Sequence, residues 1–319
     1  MTPGRRSNMR IRLAIICALL LLASPEPSTS SSVHRRRYHS IFSFGDSFAD
    51  TGNNPAVFGW YSVFDPVMRP PYGTTFFGRP TGRNSDGRLI LDFVAESLEL
   101  PYVPPYLGPP FALPSPADGG RFRQGASFAV GAATALDVEF FRERDIPGIP
   151  GAPGRFPFNS SLGVQLEWFE SMKPSLCRTI QADCKDFFAG SLFFVGEFGV
   201  NDYHFSFQKK SVREVRSYVP RVVKEISMAV ERLIEHGAAT LVVPGAIPSG
   251  CSPPVFAMFP DARPAEYDSR TGCLKAQNEL SIHHNTLLQA SLEKLRRPRS
   301  SPEAGRRPGH LHARALPAT

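Results

Sequence analysis

The chain has 319 residues, 42% of them hydrophobic and 20% charged, with a formal net charge of +7. That is ample apolar material for a buried core and excludes a disordered polymer. The basic balance does not point to nucleic acid. Arg5, Arg6, Arg10 and Arg12 stand at one end, and Lys294, Arg296, Arg297, Arg299, Arg306, Arg307 and Arg314 crowd the other, which leaves the body between slightly acidic. A nucleic-acid surface needs basic groups interleaved with groups that read or stack on bases.

Residues 1–24 combine those four arginines with the apolar run Leu13 to Ala23, and a Ser/Pro-rich stretch follows from Ser24 to Ser32. This is the form of a secretory signal peptide. A run of eleven apolar residues falls short of the roughly 20 that span a bilayer, so a secreted, extracellular protein without a stable membrane span is expected. Residues 25–40 read as a flexible lead-in. Removing the signal takes away four arginines and no acid, so the charge falls to about +3.

Ile41 to Phe44 is a short apolar run that ends at Gly45, and Asp, Gly and Asn crowd the stretch after it; the pattern predicts a strand running into a turn. From Pro55 to Arg88 the chain is aromatic, Gly and Pro with little periodicity, a long loop region of the kind that shapes sites. Leu89 to Leu98 has apolar residues at helical spacing and stops before Pro101. A second irregular region runs to about Gly163, interrupted by Gly125 to Asp137, and Val164 to Met172 reads as a short amphipathic helix. Leu192 to Val195 is a buried strand by pattern. Val212 to Glu235 carries a continuous apolar stripe of helical period, closed by His236 and Gly237. Thr240 to Val243 is the next strand and Leu274 to Leu295 the next helix.

Strands alternating with helices predict an α/β fold with a mostly parallel sheet covered on both faces, and a ligand site at the carboxyl ends of its strands. After Leu295 the character changes. The last 24 residues hold six arginines and four prolines with no Val, Ile or aromatic residue, a composition read as a disordered tail over 296–319. No internal repeat is visible.

Of the five cysteines, Cys17 falls in the signal segment. Local pairing of Cys177 with Cys184 and of Cys251 with Cys273 is expected in an oxidising compartment, with free buried thiols as the alternative. The chain has no Cys-x-x-Cys and no His pair at ligand spacing near them, so a zinc site is weakly supported. Asn159-Ser160-Ser161 is an N-glycosylation acceptor sequence.

Gly45-Asp46-Ser47 alone is weak, because Ser after Asp is common in turns as a hydrogen-bonding cap. The full string Phe42 to Asn54, FSFGDSFADTGNN, resembles the first block of the plant GDSL esterase/lipases, a branch of the SGNH hydrolases. Further blocks follow in the family's order: Gly78 to Phe93 and Gly125 to Asp137 look like the second region, Phe193 to Asp202 like the third, and Leu241 to Cys251 like the fourth. The likeness runs from about Ile41 to Leu295, and its wording is closest to the sinapine-esterase-like and acetylajmalan-esterase-like subgroup.

The resemblance implies a three-layer α/β/α, flavodoxin-like SGNH domain that cleaves small-molecule or lipid carboxylic esters through an acyl-serine. It implies a monomer with no metal or cofactor. Ser47 is the implied nucleophile. Its own N–H, a backbone N–H near Gly131 and the side-chain amide of Asn201 are the implied oxyanion donors. The family often places its glycine one position later, where this chain has Ala132. Asp202 is read as ordering its loop rather than relaying charge.

The family's last block, an Asp and a His three residues apart, has no counterpart in this chain. Substitutes for the base are His204, His283, His284, His310 and His312, with His204, three residues from Asn201, the best placed. Residues after about Leu295 are accordingly read as a frameshifted or alternatively spliced end that replaces the last strand, the catalytic loop and the final helix. Two functions stay open: an esterase scaffold with impaired turnover, or a pseudo-enzyme that binds esters. Without the last strand, Leu241 to Val243 is expected to form an exposed, aggregation-prone edge. Tyr61, Tyr72, Phe76 and Phe77 are candidates to line an acyl pocket.

Overall fold

The computed structural model describes residues 37–108, 120–149, 159–177 and 182–296. The expected signal segment and the basic tail, with His310 and His312, lie outside the described residues. Four strands, β1 (Ser40–Phe44), β2 (Gly125–Ser127), β3 (Ser191–Val195) and β4 (Thr240–Val242), form one parallel sheet in the order β2-β1-β3-β4. Every residue of β1 and β3 is buried, as the near-continuous apolar runs of central parallel strands require.

Alternate side chains of these strands feed opposite faces. Phe42, Phe44, Phe193, Val195 and Leu241 enter the larger core, which packs against helices α4 (Leu162–Leu176), α5 (Ala182–Ala189), α8 (Val219–Glu235) and α10 (Lys275–Arg296). Ile41, Leu192 and Phe194 face the smaller core, which Leu91 and Ala95 of α2 (Ile90–Ser97) cover. Helices on both faces give the three-layer α/β arrangement. In the larger core, ring centroids of Phe42, Phe169, Phe188 and Phe193 lie from 5.2 Å (Phe169–Phe188) to 5.9 Å (Phe42–Phe169) apart, spacings at which each pair adds about 0.5–1.5 kcal/mol beyond burial.

Three sequence expectations change. The stripe Val212 to Glu235 forms two helices, α7 (Val212–Arg216) and α8, because Pro220 offers no N–H to the carbonyl of residue 216 and its ring crowds that turn. Pro220 instead sits in the first turn of α8, where no N–H is needed. The region from Pro55 to Arg88 is not all loop, since α1 (Asn54–Trp60) opens it. The edge strand β4 does not expose its apolar side chains: Leu241 and Val243 are buried in the larger core, and Thr240 and Val242 are half-buried.

The structure bridges Cys177 to Cys184, Cα atoms 5.3 Å apart, joining the end of α4 to α5. Cys251 to Cys273, at 4.6 Å, ties the turn ahead of α9 (Pro253–Met258) to the start of α10. What positions the site is the strand order. From β1 the chain moves to one side for β2 and then to the other for β3, so the crevice beyond the carboxyl ends of β1 and β3 is the topological switch point where α/β sheets bind ligands. Ser47 follows β1 and Asn201 follows β3.

Candidate active site

The turn that carries Ser47 is fixed from beneath. Gly45 has φ +154°, and a Cβ there would lie 2.5 Å from the carbonyl oxygen of Gly196, so only glycine lets β1 and β3 end this close together. Buried Gln165 of α4 then clamps Gly45: the Gly45 N–H donates to Gln165 Oε1 at 2.9 Å, and Gln165 Nε2 donates to the carbonyls of Gly45 at 2.8 Å and Ser160 at 3.0 Å. Asp46 Oδ1 accepts from Phe48 N–H at 2.9 Å. The half-buried Ser47 is thereby presented at the crevice.

Among the described residues, the Ser47 N–H and hydroxyl have no hydrogen-bond partner. The other implied donors are placed differently. The Gly131 N–H is donated to Asp50 Oδ2 at 3.0 Å. Asp50 also gathers the N–H groups of Gly52, Asn53 and Asn54. The next residue, Ala132, has φ +67° and an N–H with no acceptor among the described residues, so the available donor sits one position later.

Asn201 lies in the first turn of α6 (Val200–Phe207), not in a loop. Its amide nitrogen donates to Asp46 Oδ2 and to the Ala133 carbonyl, both at 3.0 Å. It stands beside the nucleophile turn with both N–H groups engaged. Asp202 accepts from the Ala135 and Leu136 N–H groups, each at 2.9 Å, and so orders the loop that presents Ala132.

Buried carboxyls crowd this floor. Burial pushes Asp46 up to about 7, assisted by the like charges of Asp202 and Asp50 and opposed by the Phe48 N–H. Burial raises Asp202 to about 6 against the N–H groups that it accepts. Glu197, directly after β3, is raised well above the usual range by burial and by Asp46 and Asp202. Both its oxygens are buried without a partner. Glu197 therefore holds its proton at neutral pH, Asp46 titrates near neutrality, and Asp202 is mostly ionised there.

No histidine among the described residues lies within hydrogen-bond distance of Ser47. His204 sits one helical turn beyond Asn201, buried, with Nε2 unpartnered and its ring against Phe207 at 6.2 Å; burial lowers it to about 4. His284 on α10 is held by the Tyr203 hydroxyl at 2.7 Å and is likewise lowered to about 4, by burial and by His283. His283 is half-buried on the same helix. No group of three or more metal-binding side chains occurs among the described residues, and no helix among them is long and apolar enough to cross a membrane.

Sequence reading missed Gln165, Asp50 and Asn53 as builders of the site. Asn53 donates to the carbonyls of Ser127 and Ala129 and accepts from Leu107 N–H. Gln165 gave no signal, being one polar residue in an amphipathic helix, whereas Asp50 and Asn53 stood in plain view within the first block. Of the aromatic candidates, Phe77 lines a cavity, while Phe76 and Tyr61 are about half exposed and do not join it. The Asn159 amide nitrogen donates to Asp137 Oδ2 at 2.7 Å.

A family model for GDSL-like lipases and acylhydrolases matches residues 41–307. Sinapine esterase of Brassica napus is 43% identical over 285 residues, 87% of this chain and 66% of that protein. The GDSL esterase/lipase At1g31550 of Arabidopsis thaliana is 43% identical over 270 residues, 84% of this chain and 64% of that protein. A third relative, At5g45910 of the same plant, is 42% identical over 91% of this chain and 74% of its own length. The chain therefore spans less than two thirds of the first two relatives. With the block order, the parallel sheet and the placement of Ser47 at its switch point, these matches show that the chain belongs to the GDSL-like lipase/acylhydrolase family.

Proposed function

We propose that this chain is a carboxylic-ester hydrolase scaffold in which Ser47 is the acyl acceptor, with turnover limited because no histidine among the described residues meets its hydroxyl. The observation that carries the reading is the presentation of Ser47: a hydroxyl at the switch-point crevice with two free N–H groups, its own and that of Ala132, to receive a developing oxyanion. Ser47 attacks the ester carbonyl, the tetrahedral oxyanion is held by those N–H groups, the alcohol leaves, and water releases the acid. Each aimed donor contributes on the order of 10²–10³ in rate. Without an imidazole to take the serine proton, turnover drops by about 10⁴–10⁶. Secretion is part of the proposal, supported by the composition of residues 1–24 and the two disulfides.

A second reading, an ester-binding protein without turnover, is favoured by the engagement of Gly131 and Asn201 with protein acceptors. The test separates the two: hydrolysis of p-nitrophenyl acetate by the purified chain, with and without added imidazole, beside a Ser47→Ala control. Slow hydrolysis that imidazole accelerates only when Ser47 is present supports the hydrolase. Equal rates in both proteins at every imidazole concentration would leave the binding reading.

A further inference from the structure

A cavity beside the 51–56 segment is lined by residues that the mechanism above does not use. It encloses about 410 Å³ between the 51–56 segment and the 77–83 and 102–108 segments, the small end of the range for small-molecule sites. Ser47, Ala132 and Asn201 are not among its lining residues.

Two features of its wall are unspent. Thr51 is 1% exposed, and its hydroxyl has no hydrogen-bond partner. Arg79 lines the same cavity, is exposed, and has no carboxylate within ion-pair distance among the described residues. The other arginine there, Arg83, is already neutralised by two 2.9 Å bonds to buried Asp92. Among the described residues the cavity therefore carries one uncompensated positive charge, that of Arg79.

Its apolar wall is also held in place. Phe77 and Tyr102 pack edge to face with centroids 5.9 Å apart, and the Arg83 guanidinium lies 4.9 Å from the Phe77 ring centre. Met68, 50% exposed, stands among the lining residues. A single guanidinium matches one carboxylate through paired N–H bonds, while a phosphate dianion calls for a second unpaired cation, which the described lining does not offer.

We infer that this cavity is a binding site for an amphipathic monoanion: an aromatic or apolar body against Phe77 and Tyr102, with one carboxylate on Arg79. The site is separate from the ester-cleaving crevice, and its occupation does not require that Ser47 turn over. It shares one structural link with that crevice, because Thr51 follows Asp50, whose carboxylate holds Gly131.

Calorimetric titration of the full chain with 4-phenylbutyrate, and with 4-phenylbutanol as its uncharged match, tests the assignment. A compound of this size is expected to saturate one site with a Kd on the order of 0.1–1 mM. Arg79→Gln, an exposed and structurally tolerant change, should weaken the acid about tenfold and leave the alcohol unmoved. Ser47→Ala should change neither compound's affinity. Equal affinity for acid and alcohol, retention of the acid's affinity in Arg79→Gln, or loss of binding in Ser47→Ala would each overturn the assignment. The last would place the ligand in the ester crevice instead.

Discussion

Gln165 is the side chain on which the nucleophile turn depends, and Gln165→Leu isolates that dependence because it keeps the volume and removes the amide. Three hydrogen bonds vanish: one from the Gly45 N–H, and one each to the carbonyls of Gly45 and Ser160. The Gly45 carbonyl keeps a partner in the Val130 N–H at 3.2 Å, so two backbone groups are left unpaired where Gln165 is fully buried. At about 1–3 kcal/mol for each orphaned group, the loss is roughly 2–6 kcal/mol, a large part of the ~5–15 kcal/mol that stabilises a typical domain. Gln165→Glu adds a second arm. It keeps an acceptor for the Gly45 N–H but turns a carboxylate toward two carbonyl oxygens, so it is tolerated only when protonated. Its folded pKa then lies above the unfolded value, its stability is fully present at acid pH, and it is lost as pH rises. Urea unfolding of the three proteins at pH 5 and pH 8, with fluorophosphonate labelling of Ser47 as the functional readout, checks both arms. A loss under about 1 kcal/mol in Gln165→Leu, with labelling unchanged, would refute the reasoning, since the bonds removed would then be shown not to hold the turn.

The buried carboxyls predict a stability that falls with pH. Asp46 and Asp50 lie at about 7 and Asp202 at about 6, all raised by burial, so the folded chain binds protons that the unfolded chain has released above about pH 4. Stability should therefore be full below that point and decline by a few kcal/mol, as an order of magnitude, up to about pH 7; a urea midpoint equal or higher at pH 8 than at pH 5 contradicts this. Gly45→Ala places a methyl 2.5 Å from the Gly196 oxygen at φ +154°, and a loss of about 3 kcal/mol or more, or failure to fold, is expected. Gly163→Ala, whose methyl meets only Ser161 Oγ at 3.7 Å, should lie within about 1 kcal/mol of the parent in the same melting experiment. Removing the Cys251–Cys273 bridge, which closes a separation of 22 residues, should cost about 3 kcal/mol by chain entropy, against about 2 kcal/mol for the separation of seven at Cys177–Cys184. Guanidinium denaturation of the two Cys→Ser pairs reads the order.

The parallel sheet was legible because β1, β3 and β4 are apolar runs bounded by Gly, Asp or Pro. The long amphipathic helices were legible because their stripes survive for several turns. Short elements were not. The eight residues of α6 follow directly on Gly199 and carry aromatic and polar residues around the whole helix, so no apolar stripe marked the helix that holds Asn201. The break at Pro220 was in the sequence, and the strength of the apolar period hid it. At the site, Ser47 was visible through its block, but hydrogen-bond allocation was not. Whether a given N–H is free depends on a carboxylate elsewhere in the chain, as Asp50 shows for Gly131 across 81 positions.

That allocation bears on what the first block means. Along Phe42 to Asn54, Phe42 and Phe44 fill the core, Gly45 allows the strands to close, and Asp46 takes the Phe48 and Asn201 donors. Asp50 and Asn53 are saturated by backbone groups from three segments. Ser47 is the polar side chain in that string that faces the crevice with nothing bound to it. Most of the block's chemical specificity thus goes into building a turn of fixed shape, and one residue of it goes into chemistry. A chain can therefore keep the whole block for structural reasons after catalysis has weakened, because nearly every substitution in it would break a buried hydrogen bond or a close backbone contact. Turnover hangs on a different requirement, one imidazole meeting the Ser47 hydroxyl, and that contact is separable from the fold.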